Sequence, residues 1–446
     1  MDFGSCVHLR SQQSVLVRDV DAHPDRASDA LRTAGDRDDV AVEARDRVGG
    51  RVWTRRDFEG RQHAEAGGDL IEAGQAALLA LAEELGLEPV RILRSGFTFY
   101  SRAIGRPRRF DGWRALARAL APEIEAYRAS DHRWDGPIAR QLAAASVADW
   151  LDRAQADGRL RRIALGLRGF FLADPEELSL LALVDQFATG DTGGVFFRLR
   201  DGNDGLAAAL ASRLRAPVRL RTELVAVRQA DDRVVARVRE PGGEAAVAAA
   251  YLVVTLPVPA LQRVVFDPPL PERQREAIAR LRYGRATRAL LQVDRPFWRR
   301  GGRPRACGTD TAAGAFWDAN EEQPGRAGIL SLLAGGGASP ALQQLVARGG
   351  AGAILDELAW LRPGAARPLA LRVVVWENDP FAGGGYAVFG PGYDPELRAW
   401  LARPYGRVLF AGEHTSVRWQ GYMYGAVESG IRVAHEIAAL ERGARC

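Results

Sequence analysis

The string Glu43-Ala-Arg-Asp-Arg-Val-Gly-Gly-Arg51, continued by Val52-Trp53-Thr54, gathers one flanking acid, three arginines and two adjacent glycines. An acid at the end of a strand can accept both hydroxyls of a ribose. Gly49 and Gly50 let a backbone approach a pyrophosphate without a Cβ in the way. Arg51 can meet that phosphate with a planar fork of donors. A charged turn between two elements is the plainer reading, but the string is long enough to favour nucleotide binding. Far along the chain, Phe410-Ala-Gly-Glu-His-Thr-Ser416 leads into Gly421-Tyr-Met-Tyr-Gly-Ala-Val-Glu-Ser-Gly430. That order puts a strand, a loop and a helix N-terminus in series. The unpaired N–H groups near Gly421–Met423 would favour negative charge. A C-terminal helix packed on a sheet explains the same apolar spacing, and both readings can hold together.

The elements that must hold these strings follow from periodicity. Val40–Glu43 reads as a short strand ending in its acid, and Ala76–Leu85 as an amphipathic helix closed by Gly86. Residues 112–165 are rich in helical pattern, with Trp113, Leu116, Leu120 and Trp150 as packing residues. Val218–Leu220, Leu224–Val227 and Val234–Val238 alternate like strands, Tyr251–Leu256 is a buried strand, and Leu290–Val293 is another. Tyr422–Leu440 is predicted helical, with Met423, Val427, Ile431, Ala434 and Ala438 on one face. Strand and helix alternating in this way imply an α/β nucleotide domain into which the helical section is inserted.

Composition narrows the classes. At this length two intimately joined domains are the natural expectation. Hydrophobic residues at 47% and charged residues at 26% describe a globular protein with ample core material. No apolar run approaches the ~20 residues of a membrane span, and no apolar signal-peptide core follows Met1, which makes the cytoplasm the expected location. Cys6, Cys307 and Cys446 are too dispersed for a disulfide framework or a metal cluster, so no metal is expected. The net charge of +5 comes from interleaved acids and bases, which argues against a nucleic-acid groove. The chain has no lysine, so an individual arginine carries little weight by itself.

With both end strings in view, the sequence resembles the flavin-containing amine oxidase family, which includes monoamine and polyamine oxidases. Between them, AGGDLI at Ala66–Ile71, GNDGL at Gly202–Leu206, VVTLPVPALQRVVFDPPLP at Val253–Pro271 and RPFW at Arg295–Trp298 keep the family's order. The resemblance runs from about residue 40 to the C-terminus. It implies an α/β, two-domain flavin amine oxidase-like fold. A discontinuous Rossmann-type FAD domain would take residues 1–76, 203–277 and 379–446. A mixed sheet-and-helix substrate domain would take residues 77–202 and 278–378.

By motif position, the resemblance gives Glu43, Arg45, Gly49, Gly50, Arg51, Gly67, Gly68, Asp69, Leu70, Leu224, Glu413 and Met423 to the cofactor. Glu413 would hydrogen-bond a ribityl hydroxyl, and Met423 would lie at the helix end facing the flavin N1/C2=O edge. Tyr386 and Tyr422 match the two rings that sandwich an amine, although isolated tyrosines would be read as core. Arg288 stands where relatives carry a lysine that holds a water, and a guanidinium is bulkier and would hold it differently. Gly385 stands where some relatives bond a cysteine to the flavin, so FAD should be noncovalent. Trp376 and Phe316 are expected pocket walls. The implied activity is oxidation of a small or medium primary or secondary amine to an imine, with O2 as acceptor and peroxide as product. A homodimer is compatible with the resemblance.

The start of the chain departs from the pattern. Residues 19–25 read DVDAHPD, with no glycine between Gly4 and Gly35, where the family places a G-x-G-x-x-G turn. Three aspartates and a proline there would oppose a pyrophosphate. This stretch reads as a segment outside the ancestral frame, or as one that has decayed. Tyr424 also replaces an acid usual in the last motif. Two alternatives therefore stand beside the amine oxidase reading. One is a related flavoprotein such as an amino-acid oxidase or desaturase, and the other is a family member impaired in FAD binding.

Overall fold

The computed structural model describes residues 14–19, 39–103, 112–189 and 194–443. The glycine-free stretch at 20–25 therefore lies outside the described residues. Two large sheets organise the rest. The first has seven strands, in the order Val265–Asp267, Glu223–Gln229, Val234–Glu240, Gly243–Val254, Ser14–Asp19 and Asp39–Glu43, with Val408–Phe410 paired in parallel to Gly243–Val254. The second has six, in the order Pro368–Val375, Ala286–Val293, Gly328–Gly335, Ala315–Asp318, Ala306–Thr309 and Thr98–Tyr100.

The alternating valines of Val234–Glu240 explain its place in the first sheet. Val234, Ala236 and Val238 are fully buried and the residues between them are not. That is the period-two signature of a sheet with one covered face. Ala286–Val293 is instead buried along its whole length, as the central position of the second sheet requires. The helical section between the sheets includes Gly112–Ala119, Ala121–Ala129, Val147–Arg153, Gly158–Gly166 and Leu180–Thr189. Leu116, Leu120 and Trp150 are buried in its core, and Trp113 packs against them half-buried. Ser146 caps one of these helices reciprocally with Asp149.

Two local expectations change. Val218–Leu220 is not a strand: Arg219 makes a single bridge to Val42, donating to Ala41 O at 2.8 Å and accepting from Glu43 N at 2.9 Å. Pro217 lacks an N–H, which keeps a longer ladder from forming there. Ser14–Asp19 runs antiparallel to Asp39–Glu43, whereas a doubly wound unit pairs its first two strands in parallel. The long C-terminal helix, Met423–Gly443, begins one residue after Tyr422. It packs two faces, with Val427 and Ile431 against Leu78 and Leu81, and Val433 against Tyr251 and Leu409.

Candidate functional site

Between the six-stranded sheet, the helical section and the C-terminal segment a cavity of about 740 Å³ opens. Its walls bring together residues from distant parts of the chain: Arg51, Gly67, Gly68, Asp69 and Leu70 from one side, Arg288 from the second sheet, and Tyr386, Glu413, Tyr422 and Met423 from the C-terminal segment. Gly67 and Gly68 are there because nothing larger fits. A Cβ on Gly67 would lie 1.8 Å from Arg51 O, and one on Gly68 would lie 2.9 Å from Met423 Cγ. The backbone N–H of Gly68 donates to Arg51 O at 2.9 Å, so the two motifs are zipped together along the cavity floor.

Arg51 is buried, donating to Glu413 Oε1 at 3.1 Å and to Gly385 O at 2.8 Å, and its guanidinium covers the Tyr283 ring. Glu413 also accepts from Gly421 N at 2.8 Å. Burial alone would raise the Glu413 carboxyl, but Arg51 and the Gly421 N–H hold it below the usual range. Burial drives the His414 imidazole down to about 4, so it is neutral beside that carboxylate.

Arg288 is fixed on three sides. It donates to Ser331 Oγ at 2.7 Å and to Gly67 O at 2.9 Å, and it lies over the Trp317 ring. Asp69, 3.7 Å away, is itself held by Arg198 Nε at 2.8 Å and by the Trp317 indole N–H at 2.7 Å. Burial depresses the Arg288 guanidinium. The Tyr386 hydroxyl donates to Phe170 O, and the Tyr422 hydroxyl reaches Gln186 Oε1 at 3.5 Å. Burial raises both phenols, so both rings are neutral. Gly421 lets the helix entry pass Tyr386, since a Cβ there would come within 3.2 Å of that ring.

Glu43, Arg45, Gly49, Gly50 and Leu224 do not line this cavity. They sit on the strand side, where Leu224 joins Val42, Ala44, Leu256 and Phe381 around a much smaller pocket of about 20 Å³. Arg45 is forked onto Asp379. Glu43 Oε1 accepts from Arg45 N at 2.9 Å, while Oε2 is buried without a partner. Burial pushes this carboxyl up to about 7. Gly49, at φ +97°, turns the chain under Val52, whose carbonyl would be 2.5 Å from a Cβ.

Trp376 lines the cavity as expected, but Phe316 does not. It is fully buried on the opposite face of its strand, against Trp360, and its neighbour Trp317 takes the cavity position. A strand turns successive side chains to opposite faces, so an error of one residue moves the wall. Sequence reading also missed Arg198, Glu65, Gln186, Trp134 and Arg398. Glu65 is fully buried, held by Thr54 Oγ1 and Asn203 N, and pushed up to about 8 by burial and by Asp69. No short motif marks these residues. Only strand alternation around Ala315–Asp318 could have found Trp317.

The arrangement fits a flavin at several points. The orphaned Glu43 Oε2 and Arg51 Nε call for hydrogen-bonding partners. Residues 27–438 match the family described as flavin containing amine oxidoreductase. The chain therefore belongs to the flavin-containing amine oxidoreductase family. It is 25% identical to the flavin-containing amine oxidase B of Cavia porcellus over 433 residues, covering 89% of this chain and 81% of that protein. Among solved structures it is similar to a putrescine oxidase double mutant from a redesign of cofactor binding, with 25% identity and a TM-score of 0.79, covering 89% of this chain and 93% of that one. The fold also matches the cyclohexylamine oxidase of Brevibacterium oxydans, with a TM-score of 0.78, 23% identity, and coverage of 90% and 93%. Among the described residues no helix is long and apolar enough to cross a membrane, and no cluster could hold a metal ion.

Proposed function

We propose that the chain oxidises a primary or secondary amine to an imine, using noncovalently held FAD and passing the electrons to O2. The observation that carries this reading is the shared cavity of Tyr386 and Tyr422 with Gly67, Gly68, Arg288 and Glu413. In this reading Glu43 takes the ribose hydroxyls, Arg51 and Glu413 hold the polar chain of the cofactor, and the Met423 helix end faces the ring edge that becomes negative. FAD supplies the hydride acceptor when bound. The two tyrosine faces hold the amine nitrogen, and their neutral phenols leave the amine free of a competing phenolate. Arg288 closes the floor beside Gly67. Phe97, Phe170, Phe196 and Trp376 exclude water from the reacting carbon.

Gly385 supports noncovalent attachment. It offers no thiol, and a Cβ there would lie 2.3 Å from Leu172 Cδ1 and 2.9 Å from Ala286 Cβ. We assign residues 1–76, 203–277 and 379–446 to the FAD domain and the remaining segments to the substrate domain. The first test is an absorbance spectrum from 300 to 550 nm, before and after acid precipitation, followed by a peroxide-coupled amine screen. Yellow protein that releases FAD and turns over an amine is the expected result. A second reading, a member impaired in FAD binding, is favoured by the antiparallel pairing of Ser14–Asp19 and the small pocket at Leu224. Protein that stays colourless with added FAD would establish it.

A further inference from the structure

The Tyr422 ring is held from behind rather than at its tip. Its hydroxyl lies 3.5 Å from Gln186 Oε1, beyond the range of a strong hydrogen bond. A bond at Oη lies on the axis of the ring, and it hardly resists rotation of the ring about that axis; neighbouring rings do. Trp419 supplies that contact. Its ring meets the Tyr422 ring with centroids 5.6 Å apart and planes at 87°, and it meets Tyr424 at 5.1 Å and 78°. Such edge-to-face pairs are among the arrangements that ring quadrupoles favour. Arg418 and Gln420 line the cavity and Trp419 between them does not, so the indole supports Tyr422 without entering the cavity.

Trp419 is itself anchored on several elements. Its backbone N–H donates to Ser416 Oγ at 2.9 Å, and its carbonyl accepts from Tyr422 N at 3.2 Å. A Cβ on Gly425 would lie 2.1 Å from that carbonyl, so the first turn of the C-terminal helix is pressed onto this segment. A Cβ on Gly74 would stand 4.0 Å from Trp419 Cη2, which places the far edge of the indole on the turn after Ile71–Glu72. Tyr424, which stands where an acid is usual, packs against the apolar cluster of Leu78, Leu81 and Val427. A carboxylate is costly against such a cluster, whereas a ring there gives the indole a second support.

We propose that Trp419 and Tyr424 are positioning residues: together they fix the tilt of the Tyr422 ring, and through it the direction in which an amine presents its α-carbon. The proposal rests on the amine oxidase reading for what the Tyr422 ring does. A tilted ring still leaves an aromatic cavity for the amine, so the loss belongs in kcat rather than in KM.

A double-mutant cycle on the full chain tests this, with benzylamine in the peroxide assay and flavin content read from absorbance. W419L should lower kcat about fivefold, within what an edge-to-face pair carries, with flavin content unchanged and KM moved less than twofold. W419F, which keeps a ring, should retain at least half of the activity. The W419L loss should fall below twofold in a Y422A background and persist in full in a Y386F background. If W419L does not fold or loses its flavin, Y424L should lower kcat at least threefold, again only where Tyr422 is present. Near-ultraviolet circular dichroism needs no turnover. The difference between wild type and W419L should contain a coupled band that is missing from the difference between Y422A and the double variant. Equal losses with and without the Tyr422 ring, or matching difference spectra, overturn the proposal. No oxidation of benzylamine or of any amine in the screen, with the coupled band present, overturns the amine reading and the positioning role with it, and leaves Trp419 a packing residue.

Discussion

Tyr422 and Tyr386 reach the cavity by different routes, and their hydroxyls are tied to different elements. Tyr386 is bonded to a helix carbonyl at Phe170, and Tyr422 is only loosely in reach of Gln186. Removing the Tyr422 ring by Y422A should therefore cost at least tenfold in kcat/KM, while Y422F should cost less than threefold. Steady-state peroxide assays of the two variants check this, and equal losses would place the contribution in the hydroxyl rather than the ring face. At the strand side, Glu43 has a folded pKa of about 7, above its ordinary value of 4.5. A carboxyl raised by folding binds more protons in the native than in the unfolded state, so stability falls as pH rises between those two values. Glu65, raised to about 8, extends that decline upward. Urea melts from pH 4.5 to 8 should show the decline in the cofactor-free protein, and E65Q should flatten it by on the order of a few kcal/mol. A ribose diol donating to Glu43 would favour its ionised form. FAD binding at pH 6 should then release protons, seen as a binding heat that varies with the buffer's ionisation enthalpy. A heat independent of buffer would remove Glu43 from that role.

At the scale of elements, the close approach of the Arg51 and Gly67 backbones joins the nucleotide side to the cavity floor. G67A must push those two backbone segments apart, because its Cβ would lie 1.8 Å from a carbonyl oxygen. We expect loss of bound flavin and a destabilisation of about 2 kcal/mol or more, the range of a forced core insertion, measured by absorbance and thermal melting. The central strand Ala286–Val293 presents Arg288 from a fully buried ladder, so L290A should cost about 2–5 kcal/mol without changing the cavity's charged groups. Much of this scale was legible. The strand ending at Glu43, the helix from Ala76 and the C-terminal helix all carry strong periodicity and clear stops, whereas the strand expected over Tyr251–Leu256 runs from Gly243 to Val254. Phe316 and Val218–Leu220 were misread for separate reasons. A strand buried along its whole length hides which face is which, and a three-residue run next to a proline has too few backbone donors to show that it is only a bridge.

At the scale of the molecule, the sequence strings at the two ends identified the family because each needs a fixed spacing that a core does not impose. The wall of Trp134, Arg398 and Gln186 was not legible, because the helical section and the C-terminal segment meet there only once the chain has folded. Lysine-free composition also masked Arg398 among many arginines. The N-terminal departure belongs to this scale too. Translating the encoding DNA in its other frames should reveal a glycine-rich turn ahead of Glu43, and a chain carrying that turn should retain FAD more tightly in equilibrium dialysis. If no other frame encodes such a turn, the frame explanation is wrong.

Gly385, hemmed in by Leu172 and Ala286, has a consequence beyond attachment chemistry. If the flavin is held noncovalently, as proposed, the protein is a reservoir at equilibrium with the free pool, and its occupancy follows supply. Free FAD at a hundred times its dissociation constant adds about 2.7 kcal/mol to the folded state, so vitamin status and dilution would set both how much of this protein is active and how long it lasts.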